Sequence, residues 1–164
     1  MDTLNRLVTF FILLMVQVLV LNHIHLFNVA TPLLYVAFAL GFQRNYPRWG
    51  LLLWCFFLGL SVDIFANTPG VAAASMTLIG LIQPYLLEFF VPRDASDDFQ
   101  ISVSTVGIKS FAIYSSIIVF IYCLVFFTLE AFNFFNVMQW ILNVSGSTLL
   151  TIVILLATAN LIKK

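Results

Sequence analysis

Charge is what this sequence has least of. Only 9% of its 164 residues are Asp, Glu, Lys or Arg, against about 25% in soluble domains. So thin a charged complement cannot cover a water-facing surface. With 62% of the residues hydrophobic, lipid must be the solvent for most of the chain. Net charge is lacking too, because seven Lys and Arg balance seven Asp and Glu. That balance excludes the basic footprint of a nucleic-acid binder. Cysteine is scarce, and Cys55 and Cys123 both fall inside apolar runs. They read as small buried or lipid-facing hydrophobes and not as a disulfide or a metal pair. HExxH, CxxC, GxSxG and a Gly-rich phosphate loop are missing. No enzymatic reaction, no cofactor and no metal are therefore expected.

What is there is a succession of apolar runs in one domain, 1–164. A crossing needs about 20 mostly apolar residues. The candidate spans cover about 7–21, 29–42, 49–65, 71–91, 108–129 and 140–162. No small-x-small cleavage site follows the first run, which reads as a membrane helix and not as a removed leader. The second run is short, and Thr31-Pro32 looks like its helix start, because Pro in a first turn removes a donor that was unpaired anyway.

Charge settles how the short run is read. With six crossings, Arg6, Arg44, Arg48, Arg93, Lys109, Lys163 and Lys164 all fall on one side. Without the second crossing, all of them except Arg6 lie on the other side. The positive-inside rule makes the cation-bearing side cytoplasmic, with both termini there. The expected fold is an all-α integral membrane protein, a six-transmembrane-helix bundle with N- and C-termini cytoplasmic.

Gln17, Asp63 and Gln83 are polar groups placed inside spans. A side-chain amide facing protein can hydrogen-bond across helices for about 1 kcal/mol. An acid costs more, roughly 2.5–3.5 kcal/mol at mid-bilayer and less near the surface, so Asp63 needs a compensating role. Gly59, one turn before it, leaves a flat patch where another helix can approach. Asn67-Thr68-Pro69-Gly70 then forces a turn, since Pro fixes φ and Gly permits the left-handed conformation. Two readings of Asp63 stand side by side: an acid that caps or tunes the tight turn, and an anchor for packing, a partner or a ligand.

The remaining features are weaker. His23 and His25 lack further ligands nearby and read as interfacial polar residues. Small residues from Ala72 to Gly80 mark a face packed against a neighbouring helix, and Pro84 should kink that span. Asp97-Asp98 lies in the most charged loop and reads as solubilising. From Phe99 to Thr105 apolar and polar residues alternate, which suggests an extended or surface-lying piece.

Several of these residues carry a likeness. Gln17 late in the first span, Pro32 opening the second, and Gly59-Leu60-x-x-Asp63-x-Phe65 with Pro69-Gly70 before the fourth resemble the rod shape-determining MreD family. The likeness covers roughly the first 90 residues by motif and the rest by length and hydropathy. The family often has an acid directly after the proline, where this chain has Leu33. The resemblance implies a non-enzymatic, multi-pass component of the bacterial cytoplasmic (inner) membrane. It would maintain rod shape by binding an MreC-like protein and, indirectly, the MreB cytoskeleton and the peptidoglycan synthases. Gln17, Pro32, Gly59, Asp63, Phe65, Pro69 and Gly70 are then the partner-binding or packing residues. The family also looks like the substrate-binding subunits of energy-coupling-factor vitamin transporters, which keeps a small-molecule reading open.

Overall fold

The computed structural model describes residues 3–20, 31–92, 95, 99–131 and 136–162. His23, His25, Arg93, Asp94, Asp97, Asp98, Lys163 and Lys164 lie outside them. The described residues are all-helical: α1 (Thr3–Leu19), α2 (Ala37–Leu40), α3 (Arg48–Ala66), α4 (Val71–Phe90), α5 (Val103–Ala131) and α6 (Val137–Ile162), with a 3-10 turn at Leu34–Val36 before α2. Four of these helices, α3 to α6, are long and apolar enough to cross a membrane, and α1 is a shorter apolar helix. The chain is a multi-pass membrane protein.

The long helices begin and end close to where apolar runs and turn residues place them. α5 is interrupted at Gly107, where φ of 81° and ψ of 161° break the helix just before the expected start of the fifth span. Residues 99–102 are non-helical, and they lie along the 41–46 loop. The Arg44 N–H donates to the Phe99 carbonyl at 2.9 Å, and Gln100 Nε2 donates to the Gly41 carbonyl at 2.6 Å.

The second run differs from its expected form. Helix does not begin at Pro32; residues 31–33 are non-helical and only a 3-10 turn and the four-residue α2 follow. Nor is this run a lipid-facing span. Tyr35, Val36 and Ala39 are fully buried, and Leu33, Leu34, Phe38, Leu40 and Phe42 nearly so. It runs antiparallel to α1: Pro32 and Leu34 meet Gln17, Phe38 stacks on Phe10 at 6.0 Å, and Phe42 lies below Arg6. The least regular segment is therefore the axis of the bundle, touched by α1, α3, α4 and α6 and bonded to α5 through Tyr35. Outside it α1 packs on α3, α3 on α4, α4 on α5 and α5 on α6.

A non-helical backbone at this depth is tolerated only where protein satisfies its donors and acceptors. Here side chains of other helices do so. Ser147 Oγ accepts from the Thr31 N–H and Thr151 Oγ1 from the Leu33 N–H, each at 3.0 Å. Gln17 donates from Nε2 to the Pro32 carbonyl at 3.0 Å and accepts at Oε1 from the Leu34 N–H at 3.1 Å. The side-chain amide of Gln17 in α1 thus serves the segment as a neighbouring strand would. This supply of distant hydroxyl and amide groups removes the pressure to close a helix at Pro32.

At the opposite end of this axis Arg6 is buried against aromatic rings, its guanidinium carbon 4.0 Å from the Tyr46 ring centroid and 5.4 Å from that of Phe42. Desolvated cation–π stacking contributes about 2 kcal/mol. Burying an unpaired ion costs several, so stacking alone does not offset it.

Candidate functional site

The site candidates converge on the end of the bundle where α3 turns into α4. α3 closes on a left-handed residue, Asn67, at φ 57° and ψ 36°, whose N–H donates to the Asp63 carbonyl. The Thr68 N–H donates to the same carbonyl at 3.2 Å. Gly70, at φ 80°, then supplies the second left-handed position and precedes α4. Because Gly70 has no side chain, it cannot cap the helix it introduces.

Asp63 caps it from the other helix. One carboxylate oxygen accepts from the Ala72 N–H at 2.9 Å and from Thr68 Oγ1 at 2.7 Å; the other accepts from the Ala73 N–H at 2.8 Å. The first amides of a helix have no internal partner and carry the positive end of its dipole, so an anion is stabilised there. Asp63 therefore closes α3 with its backbone and opens α4 with its side chain. Of the two readings, capping of the turn is what the geometry shows, although the acid is buried and not wet.

Gly59 makes that cap reachable. A Cβ built there would lie 2.6 Å from the Ala72 carbonyl oxygen and from Ala73 Cα. The helix that uses the flat patch beside Asp63 is therefore α4 of this same chain. One turn further along the seam, a Cβ on Gly80 would sit 3.2 Å from Cys55 Sγ. The small residues of α4 are packed against α3, as their spacing implies.

Beyond this seam the candidate residues separate. Phe65 is 57% exposed, and Pro69 and Gly70 are exposed with it at the rim. Gln17 and Pro32 belong to the axial segment. Gln83, buried, donates from Nε2 to Tyr114 Oη at 3.1 Å and ties α4 to α5.

Hollows open at the acid end, two of them beside the α3–α4 turn. One, of about 390 Å³, lies between the α3–α4 turn and the end of α5 and is lined by 67–71, Ala74, Leu129 and Glu130. The other, of about 370 Å³, lies toward the axis and is lined by Thr31, Tyr35, Val62, Phe65, Thr68, Phe126 and Glu130 among others. No family model, curated protein or solved structure matches this chain. The site's meaning therefore rests on its own geometry.

Sequence reasoning missed four members of the polar framework. Tyr35 and Tyr122 hydrogen-bond through their hydroxyls, with rings edge to face at 5.6 Å. Ser147 and Thr151 hold the axial backbone. A signal for the last two was present, since hydroxyls four residues apart share one face of a helix, although Asn143, Ser145, Thr148 and Thr158 of the same helix dilute it.

Proposed function

We propose that this chain is a non-enzymatic scaffold subunit of the bacterial cell-elongation machinery, binding an MreC-like membrane partner. Through that partner it serves the MreB cytoskeleton and the peptidoglycan synthases. The observation that supports the reading is how the residues of the MreD-like pattern are used. Gln17 and Asp63 direct their polar groups, and Gly59 its missing side chain, into the bundle itself. A chain built this way presents a rigid surface and not a reacting group.

In this reading the chain crosses the inner membrane six times with both termini in the cytoplasm. The antiparallel path of 31–42 beside α1 supports the second crossing, and with it the count of six. Among the described residues Arg6, Arg44, Arg48 and Lys109 belong to one end, while Asp63 and Glu130 belong to the other. The positive-inside rule turns the first end to the cytoplasm. The partner then docks at the outer rim, in the cleft lined by Pro69, Gly70 and Ala74, while exposed Phe65 lines the neighbouring hollow. Asp63 and Gly59 shape that rim from inside.

Ala74→Trp, at an exposed position in the cleft, is expected to cut co-purification of the MreC-like partner at least about tenfold, a loss of ~1.4 kcal/mol, with an unchanged melting temperature. Wild-type yield of the complex together with restored rod shape would refute the docking surface.

A second reading is supported by the axial hollow of about 370 Å³, a size typical of small-molecule pockets. A vitamin-type transporter subunit is expected to carry a bound small molecule through purification and to require an ATPase module. Mass spectrometry of the purified protein separates the two readings: a stoichiometric small molecule favours the transporter, and its absence the scaffold.

A further inference from the structure

Between α1 and α3 runs an apolar groove of about 540 Å³, and Arg6 stacks behind one of its walls, Tyr46, without lining the groove itself. Leu7, Trp49, Leu53 and Phe57 form its outward-facing walls and are all exposed. The groove follows α3 from Trp49 to Ser61, about 18 Å at 1.5 Å per residue. That is close to half of a hydrocarbon core of about 30 Å, the depth of one leaflet's acyl chains.

Among the described residues, no acid pairs with the charge behind that wall. Arg6 is 8% exposed, and its Nε is buried with no hydrogen-bond partner among the described residues. What touches the guanidinium are the rings of Tyr46 and Phe42, which bring no countercharge. Tyr46 is at the same time a wall of the groove and is held there by Trp54, whose Nε1–H donates to Tyr46 Oη at 3.2 Å. The stacked cation and the apolar channel therefore share one wall.

We propose that this groove binds an anionic glycerophospholipid of the inner leaflet, one acyl chain lying along α3 and the phosphate pairing with Arg6. The acyl chain covers the apolar walls, and the headgroup supplies an anion that no described residue brings to Arg6. The cytoplasmic leaflet is where anionic lipids concentrate. A zwitterionic lipid offers the same chains but brings its own ammonium, which competes for the phosphate. The headgroup end, at Tyr46 and Trp49, lies at the other end of α3 from the partner cleft. The site rests on the proposed orientation and not on the identity of any protein partner.

The test uses the full chain, purified in detergent, stripped of lipid, and given equal amounts of phosphatidylglycerol and phosphatidylcholine with identical acyl chains. Native mass spectrometry is expected to show phosphatidylglycerol retained about tenfold over phosphatidylcholine, the ratio of one charge-assisted contact. Arg6→Gln should abolish the preference, and Arg6→Lys should keep part of it. Leu53→Trp, which fills the groove from an exposed position, should remove both adducts with no change in melting temperature. Equal retention of the two lipids by the wild type overturns the proposal, as does an undiminished preference in Arg6→Gln. Should Arg6→Gln fail to fold, wild-type lipid retention by Leu53→Trp overturns it as well.

Discussion

Asp63→Ala is expected to destabilise the α3–α4 hairpin by about 2–5 kcal/mol, the loss of a helix cap and of hydrogen bonds to a carboxylate. Two backbone donors, the N–H groups of Ala72 and Ala73, lose their acceptors in a place where Ala72 is fully buried and Ala73 is 4% exposed. Water cannot replace the carboxylate there, so the penalty is the full cost of leaving them unpaired. Hydrogen exchange should locate the damage: amides of the first turn of α4 exchange faster, while those in the middle of α5 keep their protection. Asp63→Asn is not a mild substitute. One oxygen becomes an NH2 group, which faces either the Ala73 N–H or the Ala72 N–H, donor against donor. Its effect should lie close to that of alanine. Unchanged exchange at Ala72 and Ala73 in both variants would show that the cap carries no stability.

This expectation also separates two ways of losing a partner. Asp63→Ala should weaken the proposed complex by loosening the rim, so partner loss and melting temperature fall together. Ala74→Trp should reduce binding with the fold intact.

Gln17→Leu should reach the axis of the bundle directly. The side chain is fully buried and bonds the chain at Pro32 and Leu34. Leucine is close in volume, so little cavity forms. What remains is an orphaned carbonyl and an orphaned N–H, at roughly 1–3 kcal/mol each. The summed cost of about 2–6 kcal/mol should appear as a lower unfolding midpoint in detergent and as less protein accumulated in membranes. A local consequence follows from the geometry. With Gln17 gone, Thr31 and Leu33 still have Ser147 and Thr151, so the segment should loosen at Leu34 first. Gln17→Leu melting within a degree of the wild type would mean that the axial backbone finds its partners elsewhere.

Much of the framework was legible before any coordinates. The bounds of α3 and α4 follow from apolar runs and from the turn chemistry of Asn67 to Gly70, which the left-handed Asn67 and Gly70 carry out. Small residues in α4 announced a close seam, and Gly59 against Ala72 and Ala73 is that seam. The functional residues were harder to read. Asp63 was recognisable as an acid in need of a partner, but its partner is the start of the next helix, nine and ten residues ahead. A flat patch at Gly59 looked open to another protein, whereas the chain's own α4 lies against it.

Sequence by itself determined the solvent, the four long membrane-length helices, the α3–α4 turn and the grouping of described cations at one end. Those properties depend on local composition and on transfer to an apolar medium, which each stretch expresses independently. Only the tertiary structure decided that residues 31–42 are a buried axis with just a 3-10 turn and one short helix, that Asp63 caps α4, and that Arg6 lies under aromatic rings. Hydropathy cannot tell lipid from protein interior, since both are apolar. Nor can a local pattern reveal that a backbone donor will be satisfied by a hydroxyl more than a hundred residues away, as the Thr31 N–H is by Ser147.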